Sequence, residues 1–164
     1  MDYIMISRQN REKVNSFIKE HWFSTDIIIR GSVIDMTKVE GLIVLDNSDI
    51  IGLLTYTICD KICEITSLNS LIEGKGIGTS LINKVINIAK ENGCNKIILV
   101  TTNDNIDAIR FYQKRGFDLA GFYHNSLDIS RKMKPSIPLF GNYNIPLKHE
   151  IEFEMILLNE RDVE

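Results

Sequence analysis

Apolar and polar positions along this chain change period several times, and each change predicts an element. Tyr3 to Ile6 reads as a short strand. Ser7 reads as an N-cap, and Arg8 to Glu20 places Val14, Phe17 and Ile18 on one helical face. His21-Trp22-Phe23-Ser24 ends that helix. Asp26 to Gly31 is extended, and Asp35 to Glu40 is a polar connection. Three β-rich runs follow: Gly41 to Leu45, Ile50 to Cys59, and Ile62 to Leu68. The turns between them are polar, Asp46 to Asp49 and the two-residue Asp60-Lys61, which predicts an antiparallel meander.

The second half alternates helix and strand. From Gly76 to Asn92 the apolar positions Ile77, Leu81, Ile82, Val85, Ile86, Ile88 and Ala89 recur at helical spacing, and Gly93 is placed to close the helix. Lys96 to Thr101 reads as a buried strand. Asn103-Asp104-Asn105 caps a helix from Ile106 to Lys114, which Gly116 closes. Phe117 to Tyr123 is another strand. Asn125 to Lys134 reads as a helix capped by Asn125 or Ser126. Pro135 to Lys148 is irregular and holds Pro135, Pro138 and Pro146, and His149 to Leu158 is a final strand. No internal repeat or linker divides the chain, so one domain over residues 1–164 is expected, α/β in class, with a mixed, mostly antiparallel sheet flanked by helices.

Composition narrows the partners. Hydrophobic residues make up 44% and charged residues 25%, which suits a folded chain rather than a disordered one. A net charge of −3 argues against nucleic acid as a partner. The cysteines, Cys59, Cys63 and Cys94, lack C-x-x-C spacing, and the histidines His21, His124 and His149 show no ligand spacing, so free thiols and no metal are expected. The first ten residues carry Asp2 and no apolar core, which is unlike a signal peptide, and no apolar run reaches membrane-spanning length. A cytoplasmic protein without a membrane partner is the expectation.

Candidate chemistry centres on Gly74, Gly76 and Gly78, between a β-rich run and an amphipathic helix. Glycines let a backbone approach an anion closely, and a helix N-terminus points N–H groups at it. Spacing excludes two phosphate motifs. A Walker A turn needs Gly-Lys-Ser/Thr at its end, and no lysine follows Gly78. A Gly-x-Gly-x-x-Gly fingerprint started at Gly74 meets Thr79 in its sixth position, and started at Gly76 it meets Leu81.

What stands there is Gly74-Lys75-Gly76-Ile77-Gly78-Thr79, followed by Asn105-x-x-Ala108-x-x-Phe111-Tyr112-x-x-x-Gly116-Phe117. The two segments together closely resemble the GNAT N-acetyltransferase family, and the element order extends the resemblance over nearly the whole chain. The resemblance implies acetyl-CoA as co-substrate, with its pyrophosphate on the backbone of Gly74 to Thr79. It implies a backbone N–H near Leu68 and Asn69 that polarises the acetyl carbonyl. Asn105 and Ala108 would line the pantetheine, and Tyr112 would act on the leaving sulfur. One departure is Glu73, where the family usually has Gln or Arg. A carboxylate cannot donate to phosphate, so its side chain is expected to point away, with Lys75 neutralising charge.

Acyl transfer from a thioester to an amine requires amine deprotonation, carbonyl polarisation and departure of the thiolate. A free phenol is a weaker acid than a thiol, so complete proton transfer from Tyr112 is uphill by about 2 kcal/mol, and a hydrogen bond to the sulfur is the better description. A lysine-like amine is only ~0.04% neutral at pH 7, so a base should help. Glu64 leads, since alternation places Glu64, Thr66 and Leu68 on one face of their strand. Glu150 and Glu152 are alternatives. His21, Trp22 and Glu150 are candidates for the acceptor pocket, and Arg30 is expected in a salt bridge. The expected function is direct acetyl transfer to an amine, a small molecule more than a protein, by a monomer or homodimer. The alternative is a non-catalytic acyl-CoA-binding or sensor protein on the same fold.

Overall fold

The computed structural model of this chain describes residues 1–158; residues 159–164 of the expected domain lie outside the described residues. It starts with strand β1 (Asp2–Met5) and helix α1 (Arg11–Trp22). The helix begins later than the periodicity suggests, because Ser7 to Asn10 folds into a turn. There Asn10 Oδ1 accepts the Ser7 N–H at 2.8 Å, and Asn10 Nδ2 donates to Met5 O at 2.9 Å. Asn10 therefore precedes the helix in place of Ser7. Strands β2 (Asp26–Ile29) and β3 (Ser32–Asp35) form a two-stranded hairpin about Arg30 and Gly31, both at positive φ (50° and 74°). The second strand of that hairpin was not foreseen.

The chain clusters into two units. Among the described residues, the first holds 1–27, 35–97 and 157–158; the second holds 28–34 and 98–156. In the first, β4 (Glu40–Asp46), β5 (Asp49–Cys59) and β6 (Ile62–Ser70) make the expected antiparallel meander, and β1 pairs with β4. Asp60 and Lys61, at φ 49° and 61°, form the tight turn that matches strand twist. Helix α2 (Ile77–Glu91) follows the glycine turn.

Residues opposite one another in an antiparallel pair share a face. Gly52, Leu54 and Tyr56 of β5 therefore face one side, and Leu53, Thr55 and Thr57 the other. Helix α2 covers the Gly52 side, where a Cβ on Gly52 would stand 2.8 Å from Ile77 Cγ2. Helix α1 ends on the other side, where Trp22 Nε1 donates to Asn69 Oδ1 at 2.9 Å; Asn69 pairs with Leu53.

Simple alternation fails on β6. Thr55 faces Ser67 but Tyr56 faces Ile65, so Thr66 is an extra residue, a β-bulge. The expected face of Glu64, Thr66 and Leu68 does not form. Beyond the bulge the phase reverses: Leu68 lies with Leu54 on the α2 side, while Glu64, Ser67 and Asn69 share the α1 side.

Strand β7 (Lys96–Thr102) begins in the first unit and runs into the second. There it is followed by α3 (Ile106–Lys114), β8 (Asp118–Tyr123), α4 (Ser126–Met133) and β9 (Glu150–Ile156), with strand order β7-β9-β8 and β8 antiparallel to β9. The irregular stretch before β9 is pinned from the turn after β7. Asn103 Oδ1 accepts N–H groups of Lys148 and His149 at 3.0 and 2.9 Å, and its Nδ2 donates to Pro146 O at 2.9 Å. Buried Asp104 accepts the Asn142 backbone N–H at 2.8 Å and its side-chain amide at 3.1 Å.

Candidate active site

The first unit carries the glycine turn. Gly74 and Gly76 adopt the left-handed region (φ 72° and 70°), which strains any other residue, and a Cβ on either would project into open space. Gly76 is the N-cap of α2. Among the described residues no side chain caps this helix, and its first turn holds no acid. A helix N-terminus of this kind, uncapped and without an acid, favours an anion through its first-turn N–H groups and macrodipole. Ile77 and Gly78 are buried, whereas Glu73 and Lys75 are exposed, at the rim of the turn.

Leu68 and Asn69 stand at the end of β6, past the bulge. Asn69 is tied by its side chain to Trp22, which joins one expected carbonyl-polarising residue to one expected acceptor residue. Glu64 is half-buried opposite Thr57, on that same side of the strand. His21 stacks on Phe17 with ring centroids 4.1 Å apart, and its Nδ1 lies 2.9 Å from Phe17 O. A carbonyl oxygen only accepts, so Nδ1 is the donor in that contact. An open groove of about 330 Å³ runs beside α1, with Phe17, Glu20, His21, Asp49 and Leu71 in its walls.

The second unit carries Tyr112, Asn105, Ala108 and Glu150. Asn105 Oδ1 accepts the Ala108 N–H at 3.3 Å, so it caps α3. Tyr112 is buried among aromatic rings: Phe111 at 5.2 Å, Phe117 at 5.6 Å and Phe153 at 6.0 Å between centroids. Burial pushes its phenol well above the ordinary value. Glu150 is only 3% exposed, and both its oxygens accept the Arg30 backbone N–H at 3.2 Å. Glu152 takes the Arg30 guanidinium and the Tyr123 hydroxyl, each at 3.2 Å, so the expected Arg30 salt bridge is present. Glu150 is therefore neither solvated nor paired with a guanidinium; it holds the turn of the β2–β3 hairpin.

One group escaped sequence reasoning. Thr55 Oγ1 lies 2.7 Å from Thr66 Oγ1 and 2.6 Å from Ser67 Oγ, and all three residues are buried. A run of hydroxyls in adjoining strands was its one signal, and it has meaning only once the register is known. Among the described residues no cluster of His, Cys, Asp and Glu is arranged to hold a metal, and no helix is long and apolar enough to cross a membrane.

Comparison with known proteins finds a family, a relative and two solved structures that this chain resembles. The family profile described as "Acetyltransferase (GNAT) family" matches residues 9–117. The uncharacterized protein YxbD of Bacillus subtilis (strain 168) is 40% identical over 152 residues, covering 92% of this chain and 96% of that protein. Among solved structures, a Bacillus subtilis acetyltransferase in complex with CoA superposes with a TM-score of 0.67 at 17% identity, over 95% of this chain and 98% of its own. A GNAT family acetyltransferase from Elizabethkingia anophelis with acetyl-CoA bound gives 0.65 at 20% identity, over 94% and 98%. At these identities the likeness is one of fold, and it is the mixed, mostly antiparallel α/β fold expected from the element order.

Proposed function

The chain belongs to the acetyltransferase (GNAT) family, and from that premise we propose that it moves the acetyl group of acetyl-CoA directly to an amine, a small molecule in preference to a protein. The observation that carries this reading is the glycine turn. Gly74 and Gly76 are left-handed, with open space where a Cβ would be, and they lead into a helix whose first turn has no acid. A pyrophosphate fits that backbone, and the donors are main-chain N–H groups, which do not require the Gln or Arg that Glu73 replaces. The family match takes in residues of both units, which supports reading the chain as one acetyltransferase domain. Its three free thiols fit a reducing, cytoplasmic compartment.

Acetyl-CoA, when bound, supplies an activated thioester. Gly74 to Thr79 hold its pyrophosphate, with Lys75 adding charge. A backbone N–H at Leu68 or Asn69 polarises the carbonyl, since donors aimed at developing charge contribute most when they are fixed in advance. Tyr112 donates a hydrogen bond to the departing sulfur, and Asn105 and Ala108 line the pantetheine. Glu64 takes the proton of the amine, directly or through water, and His21 and Trp22 belong to the acceptor side; the expected place of Glu150 there is not kept, since Glu150 is buried against Arg30. The half-burial of Glu64 on the Trp22 side of β6 supports its choice over Glu150, which is only 3% exposed.

A screen of acetyl-CoA-dependent thiol release over polyamines, amino acids, aminoglycosides and peptides tests the reading. Turnover with at least one small amine is expected. Binding of acetyl-CoA in a calorimeter with no turnover on any acceptor would leave the sensor alternative standing. No heat at millimolar ligand would remove both.

A further inference from the structure

We propose that Thr55 is a positioning residue for acetyl transfer: its hydroxyl clamps the β6 bulge and so sets which groups of Leu68 and Asn69 the strand presents. The inference rests on the acetyl-transfer reading.

A bulge is a choice of register. If Thr66 took its place in the ladder, alternation would be restored, and residues 67–70 would turn to opposite faces. The parity of their backbone groups would change as well, exchanging which N–H of Leu68 and Asn69 points toward β5 and which points away. Something must hold the bulged register, and Thr55 is built to do so. Its Oγ1 reaches Thr66 Oγ1 at 2.7 Å and Ser67 Oγ at 2.6 Å. Consecutive strand residues normally point to opposite faces, so both can meet one hydroxyl only in the bulged form. The three side chains are 0%, 6% and 5% exposed, so water does not compete for these bonds. Two residues further along, Asn69 Oδ1 accepts from Trp22 Nε1 at 2.9 Å. A slip of one residue would carry Asn69 to the α2 side and break that bond. Thr55 thus acts through β6 and need not touch substrate.

Trp22 is the chain's one tryptophan, so its indole N–H gives a single, assignable NMR resonance that reports the bond to Asn69. Thr55→Val keeps the shape and removes the hydroxyl; Thr55→Ser keeps the hydroxyl. In Thr55→Val the indole resonance is expected to move upfield and exchange faster. Its kcat should fall about tenfold to a hundredfold, the scale of a misplaced reacting group, while KM for acetyl-CoA changes less than about threefold because the glycine turn is intact. Thr55→Ser should restore both readouts. A purely structural hydroxyl would lower the melting temperature and leave kcat alone. If Thr55→Val does not fold, Ser67→Ala breaks one of the two bonds and is read the same way. A folded variant with wild-type kcat overturns the inference, as does a lowered kcat with an unmoved indole resonance, or a failure of Thr55→Ser to rescue. If the wild-type protein transfers acetyl and the variants match it, this inference alone falls. If the wild type transfers none, the acetyl-transfer reading falls and takes this one with it.

Discussion

Tyr112 is the side chain that α3 buries, and its ring sits among Phe111, Phe117 and Phe153. That setting sharpens the chemical argument made from sequence. Burial raises the phenol further above the thiol, so Tyr112 is a poorer acid than a free tyrosine and remains neutral over the working pH range. It can still donate a hydrogen bond as charge grows on sulfur. Tyr112→Phe is therefore expected to lower kcat about tenfold to a hundredfold. Acetyl-CoA affinity should be nearly unchanged, and unfolding stability should stay within about 1 kcal/mol. Steady-state kinetics beside a urea melt would check this, and an unchanged kcat would take Tyr112 out of the mechanism. At this scale the sequence was informative where chemistry is local. Asn105 caps the helix that follows it, and Gly74 and Gly76 take the left-handed conformation that glycine allows. It was uninformative for Glu150, whose burial depends on Arg30, a residue 120 positions away in the chain.

Elements with a long periodic signal were legible, and those defined by pairing were not. Helix α2 runs from Ile77 to Glu91 with Gly76 as N-cap and Gly93 at φ 69°, close to the span its apolar spacing predicts. The meander was legible because its turns are polar and its strands β-branched. The β6 bulge was not, since it exists only relative to β5, and hydropathy alone does not carry register. Strand β3 is four residues long, too short for a pattern to stand out. The start of α1 was misread because two capping residues, Ser7 and Asn10, compete, and the side chain of Asn10 closes a turn back onto Ser7. The junction of β5 with α2 gives a prediction at this scale. A Cβ at Gly52 would stand 2.8 Å from Ile77 Cγ2 and 3.0 Å from Val44 Cγ2. Gly52→Ala should push the first residue of α2 outward. We expect a loss of about 1–3 kcal/mol in a denaturant melt, with weaker acetyl-CoA binding by calorimetry because the glycine turn moves with Ile77. Wild-type affinity in the folded variant would mean that the turn holds its shape independently of β5.

At the scale of the whole molecule, buried groups that the fold holds protonated bear on stability at alkaline pH. Two of them lie in the first unit. Burial pushes the Cys63 thiol from its ordinary 9.0 up to about 12, aided by the neighbouring Cys94 thiol and the Glu40 and Glu64 carboxylates. Burial and Glu40 push the Tyr56 phenol from 10.0 up to about 12. Both shifts favour the protonated, folded form. Below the unfolded values both states carry these protons, and the stabilisation is complete. Above 9.0 for Cys63 and 10.0 for Tyr56, the unfolded chain releases protons that the folded chain keeps, so stability falls as pH rises toward 12. Each such group contributes a slope of about −1.4 kcal/mol per pH unit within its window. Urea melts between about pH 8 and about pH 11 should show little change at first and then a progressive loss. Cys63→Ala changes the baseline through the missing sulfur, but it should also make the alkaline slope shallower by about one proton. Equal slopes in the two proteins would mean that Cys63 ionises as readily in the folded chain as in the unfolded one, and that its place between β6 and the core is open to water.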